Sequence, residues 1–186
     1  MTGNFNTDPA DLMERAKQGD SDAFGQLYEL YYVPVFRYIY YRLPDKEEAE
    51  NLTQTVFIKV FKSVGRFKYQ GKSPLAYFFT VARNSITDYW RKKREVKLND
   101  PEVVFQRMAD DRRSEAELTE IKDMATKIKD AIYNLTEEQQ EVMILKFVNE
   151  FSNKEIAEVT GKKEGAIRQL QCRALKVLRQ EFKDAY

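Results

Sequence analysis

Residues 151–179 read FSNKEIAEVTGKKEGAIRQLQCRALKVLR, and this stretch decides the fold class. Ser152 is a helix N-cap residue, with Ile156, Ala157 and Val159 forming the inner side of a short helix. Thr160-Gly161 then predicts a tight turn, because Gly accepts the positive φ such turns need. A second helix follows, with Ile167, Leu170, Ala174 and Leu178 at helical spacing on its buried side. Short helix, glycine turn and longer basic helix is the helix-turn-helix pattern, whose second helix enters the major groove of DNA. Arg168, Gln169, Cys172 and Arg173 would then face base edges, where Arg reads guanine and Gln reads adenine by paired hydrogen bonds. Lys162, Lys163 and Lys176 are placed for phosphates, which fix position without specifying sequence.

Outward from that motif, helical periodicity runs through nearly the whole chain and no alternating strand is legible. A first helix starts near Pro9 and stops at Gly19. Ser21 or Asp22 is expected to cap a second, with Phe24, Leu27, Leu30, Tyr31, Val35, Tyr38 and Ile39 at three- and four-residue steps, ending before Pro44. Asp45 would cap a third, whose acidic start (Glu47, Glu48, Glu50) suits the helix dipole and whose stripe runs Leu52, Val56, Val60, Val64. Residues 65–72, GRFKYQGK, read as a loop. Ser73-Pro74 opens a fourth helix to about Lys97, with Leu75, Phe79, Ala82, Ile86 and Tyr89 on one face. Weak periodicity marks 98–114 as a linker. Helical segments then cover about 115–134, 136–148, 152–159 and 163–183. The expected architecture is all-α: a four-helix bundle-like domain over 1–97, an acidic linker over 98–114, and a helix-turn-helix domain over 115–186.

Composition narrows the function classes. The chain has 186 residues, one cysteine (Cys172) and no histidine. An intrachain disulfide, a His-based triad and a Cys/His zinc cluster are therefore excluded. No glycine-rich phosphate loop or metal-ligand spacing occurs, so no metal, no cofactor, no small-molecule substrate and no enzyme are expected. No apolar run approaches the roughly 18 residues of a membrane span, and the polar N-terminus lacks a signal-peptide stretch, which points to a cytoplasmic protein without membrane insertion. The net charge of +1 hides a division. Residues 66–97 hold nine Lys/Arg against two Asp/Glu (+7), 98–142 hold six against twelve (−6), and 162–183 hold seven against two (+5). Two basic islands on one chain suggest two polyanion-binding surfaces.

Four stretches, in order, carry a family resemblance: ADLMERAKQGDSDAFGQLYELYYVPVF (10–36), AENLTQTVFIKVFKSVGRF (49–67), YFFTVARNSITDYWRKKRE (77–95), and residues 135–179, which begin LTEEQQEVMILKF and run through the helix-turn-helix. Together they resemble the bacterial sigma factors of the extracytoplasmic-function group. The resemblance implies a subunit that binds core RNA polymerase and directs it to promoter DNA, without catalysis of its own, and that an anti-sigma protein can hold inactive. It implies that the helix around Glu50, Asn51, Gln54 and Thr55 docks on polymerase, that the loop and fourth helix read and open the minus-ten element, and that the helix-turn-helix reads the minus-thirty-five element. Opened DNA needs aromatic stacking, polar pocket groups for a turned-out base, and cations along the backbone. Phe67, Lys68, Tyr69 and Lys72 on the loop, with Asn84 on the helix, would supply the pocket. Arg83, Thr87, Arg91 and Arg94, at helical spacing, would follow the phosphates. Asp88 would orient Arg91 or Lys92 rather than touch DNA. The alternative is a free-standing helix-turn-helix regulator, which leaves the first four helices without a role.

Overall fold

A computed structural model describes residues 8–67, 73–99 and 120–183, except for the side chains of 96–99 and 120–125. Helix α1 spans Pro9–Lys17 and α2 Ser21–Tyr40. Helix α3 spans Lys46–Ser63 and runs into a 3₁₀ turn, Val64–Arg66; α4 spans Pro74–Asn99. The C-terminal half holds α5 (Glu120–Tyr133), α6 (Glu137–Met143) with a π turn at Ile144–Val148, α7 (Asn153–Thr160) and α8 (Glu164–Lys183). Among the described residues there is no strand.

Helix starts follow side-chain chemistry. Asp8 accepts from the Ala10 N–H with Pro9 in the first turn, Asp45 accepts from the Glu48 N–H, and Thr136 and Ser152 both close capping boxes. The cap of α2 corrects the expectation of Ser21 or Asp22. It is Asp20, whose Oδ1 accepts from the N–H groups of Asp22 and Ala23 at 3.0 Å each, while Oδ2 takes the Arg15 guanidinium at 2.7 Å. Asp20 outcompetes its neighbours because its other oxygen is already fixed by Arg15. Gly19 at φ +91 makes the bend between α1 and α2 that brings Asp20 there. The fourth helix continues to Asn99, beyond the expected end near Lys97; the rest of the expected linker lies outside the described residues.

The expected stripes are buried with some shifts. Leu27, Tyr31, Val35, Tyr38 and Ile39 of α2 meet Val56, Phe57 and Val60 of α3 and Phe78, Phe79, Ala82 and Ile86 of α4. Phe24, Leu52, Leu75 and Tyr89 are only partly buried against this core, Leu30 is exposed with Tyr31 taking the inward place beside it, and Phe78 takes a place that the expected face did not include. Pro34 lies inside α2; its ring removes one backbone donor.

The two halves close on each other. One continuous core joins the α2–α4 side chains to Ile132, Val142, Ile144, Leu145, Phe151, Ile156, Val159 and Ile167. The π turn produces that fit. Its wide turn is closed by the Asn149 N–H donating to the Ile144 carbonyl at 3.0 Å, and Glu150 follows at φ 60. This reversal points Asn149 Nδ2 at the Pro34 carbonyl, 2.8 Å away, and sets the Phe151 ring 4.9 Å from that of Phe79. Lys129 of α5 donates to the Pro44 carbonyl at 3.0 Å and lies over the Tyr40 ring.

Candidate nucleic-acid interface

The helix-turn-helix forms as its residue types require. Helix α7 buries Ile156 and Val159, with Ala157 half-buried, and the Thr160 hydroxyl donates to the Ile156 carbonyl at 2.7 Å. Gly161, in the left-handed region at φ +70, ends α7 and turns the chain into α8. Helix α8 buries Ile167 and Ala174, with Leu170 and Leu178 half-buried on the same side. Its opposite side presents Arg168, Gln169, Cys172, Arg173 and Lys176, all exposed and at alternating steps of one and three residues, so they share one outward surface. Arg168 pairs within the helix with Glu164 at 3.5 Å. Lys163 is exposed, whereas Lys162 is half-buried and ion-paired with Glu138 of α6. That pairing also holds the Glu138 carboxyl below its usual range, through the lysine hydrogen bond first and its charge second.

Helix α4 carries the second cationic surface. Asn84 and Thr87 are exposed, the latter donating back to the Arg83 carbonyl, and Arg91 and Arg94 reach solvent. Asp88 pairs with Arg91 at 3.1 Å and lies 3.9 Å from Lys59 of α3, the local orienting role its position suggested. Phe67 packs on Tyr77 with ring centres 4.9 Å apart, half-buried at the foot of α4. Tyr77 is held in turn by a 2.7 Å hydrogen bond with Ser63. Lys68, Tyr69 and Lys72 lie outside the described residues. Trp90 is half-buried, edge-on to Tyr89 and with the Lys93 ammonium 5.7 Å from its ring centre.

Arg83 departs from the simple picture of a free phosphate contact. Its Nε lies 3.0 Å from Glu141 Oε1 of α6. Glu141 is 2% exposed, and the same oxygen accepts from the Tyr38 hydroxyl at 2.8 Å and lies 3.6 Å from Arg42. Arg42 also donates to the Tyr38 hydroxyl at 2.9 Å, so four side chains from α2, its C-terminal turn, α4 and α6 meet in one polar knot, with Tyr38, Arg42 and Glu141 buried and Arg83 covering it from the solvent side. Burial pushes the Tyr38 phenol well up, keeping the proton it donates to Glu141. Pairing leaves none of these groups bare, which burial of charge demands. Sequence reading did not single out Tyr38, Arg42 or Glu141 for this role; Glu141 looks like one more acid in an acidic run.

The third surface is the outer face of α3. Asn51, Gln54 and Thr55 are exposed there, and Glu50 is half-buried beside Lys46 at 3.5 Å. Steps of three and four from Asn51 and Gln54 lead on to Ile58 and Phe61, 54% and 56% exposed. These two apolar residues extend the face beyond the polar set read from sequence. Their spacing relative to Asn51 and Gln54 was the available signal.

Comparison with known proteins matches the same two halves. A family profile described as Sigma-70 region 2 matches residues 27–96, and one described as Sigma-70, region 4 matches residues 125–178. The ECF RNA polymerase sigma factor BldN of Streptomyces coelicolor is 37% identical over 169 residues, covering 90% of this chain and 63% of that protein's length. The ECF RNA polymerase sigma factor SigX of Bacillus subtilis is 27% identical, covering 87% of this chain and 84% of its own. The chain belongs to the ECF sigma factors. In fold, this sigma factor resembles CnrH in a complex with the cytosolic domain of CnrY, with a TM-score of 0.74 at 17% identity over 96% of this chain and 99% of that one. It also resembles the sigma factor RpoE of Bartonella quintana in complex with the anti-sigma factor NepR, with a TM-score of 0.65 at 24% identity over 86% and 96%. Both halves of the ECF sigma factor thus carry an outward basic helix, α4 in the region 2 part and α8 in the region 4 part.

Proposed function

We propose that this ECF sigma factor is a promoter-specificity subunit that binds core RNA polymerase and directs initiation at minus-ten and minus-thirty-five elements. The observation that carries the reading is the joint presence on one chain of two outward basic helices, α4 and α8. A free-standing regulator needs only α8. In this reading residues 1–97 bind polymerase through Glu50, Asn51, Gln54 and Thr55 and read the minus-ten element through Phe67, Lys68, Tyr69, Lys72, Arg83, Asn84, Thr87, Arg91 and Arg94. Residues 98–114 are the linker, and 115–186 read the minus-thirty-five element through Lys162, Lys163, Arg168, Gln169, Cys172, Arg173 and Lys176. The chain performs no catalysis: positioned cations, amides and rings bind and hold DNA while polymerase does the chemistry. Among the described residues no helix is long and apolar enough to cross a membrane, which accords with work in the cytoplasm. An anti-sigma protein is the further partner class.

Duplex binding tests this against the regulator reading. The chain alone should bind promoter duplex weakly and the chain with core polymerase tightly. Tight binding by the chain alone, unchanged by polymerase and falling steeply with salt, would favour the regulator.

A further inference from the structure

Helix α8 owes its depth to apolar contacts and its roll to polar ones. In its middle turns the inward side chains are Leu170 and Leu178, half-buried, and Ala174, a single methyl group. Such contacts are non-directional, so they hold the helix at a depth without fixing its rotation about its own axis. Hydrogen bonds are directional and do fix it. Polar pairs tie this segment to three other elements: Lys162, just before α8, to Glu138 of α6; Gln171 to Asn153 of α7; and Glu181 to Asn134 at the end of α5. Of these, Gln171 lies at the level of the base-facing residues, between Gln169 and Cys172 in the chain.

Gln171 Nε2 donates to Asn153 Oδ1 at 2.9 Å, and both residues are half-buried where α7 and α8 meet. Asn153 is itself a fixed platform. It opens α7, and the preceding Ser152 closes the capping box: its N–H donates to Glu155 Oε2 at 2.8 Å, and the Glu155 N–H donates to Ser152 Oγ at 3.2 Å. At 3.6 residues per turn, Gln171 stands about 160° around the helix from Gln169 and from Arg173, so it cannot read a base itself. The side-chain surface of a helix lies about 5–6 Å from its axis, so a roll of about 15° moves a base-facing group by about 1.5 Å. A paired hydrogen bond to a base edge tolerates only about 0.5 Å.

We infer that Gln171 and Asn153 are positioning residues for the readout of DNA by α8: their hydrogen bond sets the roll of the helix and so aims Gln169, Cys172 and Arg173 together at the base edges. The inference rests on the minus-thirty-five reading of α8. A residue that touches a base governs one base pair, whereas a lost roll blurs several at once.

The test uses core polymerase carrying the full chain and a promoter duplex that this holoenzyme transcribes, with the upstream element randomised. Sequencing the bound and free fractions gives relative affinity base pair by base pair. Wild type should penalise a mismatch by about 5–150-fold, and Gln171→Leu should lower that discrimination at least about threefold at several base pairs together. Asn153→Ala removes the acceptor and leaves α8 untouched; it should relax the same base pairs. Asn153→Asp keeps an accepting oxygen for Gln171, so its discrimination should stay within about twofold of wild type while its added charge weakens binding to every sequence evenly. Simple destabilisation would lower the active fraction for all sequences alike and leave discrimination unchanged. Unchanged discrimination in Gln171→Leu and Asn153→Ala would therefore overturn the proposal. So would relaxation confined to one base pair, or an Asn153→Asp profile as relaxed as that of Asn153→Ala. A flat wild-type profile would instead show that α8 reads no upstream element, which fails the sigma reading and the proposal with it.

Discussion

Replacing Phe79 by Ala removes a ring that both halves of the chain share. Phe79 is fully buried, with ring centres 5.0 Å from Tyr38 of α2 and 4.9 Å from Phe151 beyond the π turn. Truncating a buried Phe costs about 3–5 kcal/mol through lost transfer energy and the cavity left behind. Two aromatic contacts, one edge-on and one tilted, at about 0.5–1.5 kcal/mol each, place this site toward the upper end. Against a typical domain stability of about 5–15 kcal/mol, that is a third or more. Urea unfolding can be followed with one probe in each half. Trp90, the sole Trp, reports on α4, and a fluorophore on Cys172, the sole and exposed Cys, reports on α8. Because the core is continuous, the two probes should give coincident wild-type transitions, and Phe79→Ala should lower both by about 3–5 kcal/mol. A transition at Trp90 that moves while the one at Cys172 stays, or a total change below about 1 kcal/mol, would refute the shared core.

Three further outcomes follow from particular residues. Gly161→Ala meets no atom within 4 Å, so its cost is the left-handed backbone alone, about 1–2 kcal/mol; the Cys172 probe should register it as an earlier transition. Asp20 has its carboxyl held below the ordinary value of 3.8, by the Ala23 N–H first and the Arg15 guanidinium next. A depressed folded value means this stabilisation is present above about pH 4 and is lost as pH falls through the folded pKa, so the gap in urea midpoint between wild type and Asp20→Asn should be widest near neutrality and close in acid. In polymerase complexes on a promoter duplex, Arg168→Ala should cost about 1–3 kcal/mol and relax preference at one base pair. Lys163→Ala should instead weaken binding evenly across sequences and reduce the salt slope by about 1; equal behaviour of the two variants would contradict their assigned roles.

Much of the fold was legible because its signals are local. Ser152, Gly161 and the Ile167–Ala174 stripe fix the helix-turn-helix within a span of a few turns, and Asp45 and Ser73-Pro74 mark helix starts directly. Asp20 was missed as a cap because its advantage comes from Arg15, a partner across a turn rather than a neighbour in a pattern. The closure of the two halves was not legible at all. It depends on a π turn, a left-handed Glu150 and an Asn149 that finds a carbonyl 115 residues away. None of these leaves a periodic trace. The candidate site divides the same way. Spacing put Arg168, Gln169, Cys172, Arg173 and Lys176 on one outward surface, where the structure has them. Spacing also put Arg83 with Thr87 and Arg91, but the partner that Arg83 takes, Glu141, lies 58 positions along the chain and on another helix. Ile58 and Phe61 were passed over because hydrophobic residues in a helix are first assigned to the core.

Transcription of a fragmented genomic library by purified core polymerase, with and without the full chain, tests the central claim most directly. The account predicts RNA starts that appear only when the chain is present and that share two upstream elements at a fixed spacing. Identical starts with and without the chain would contradict it.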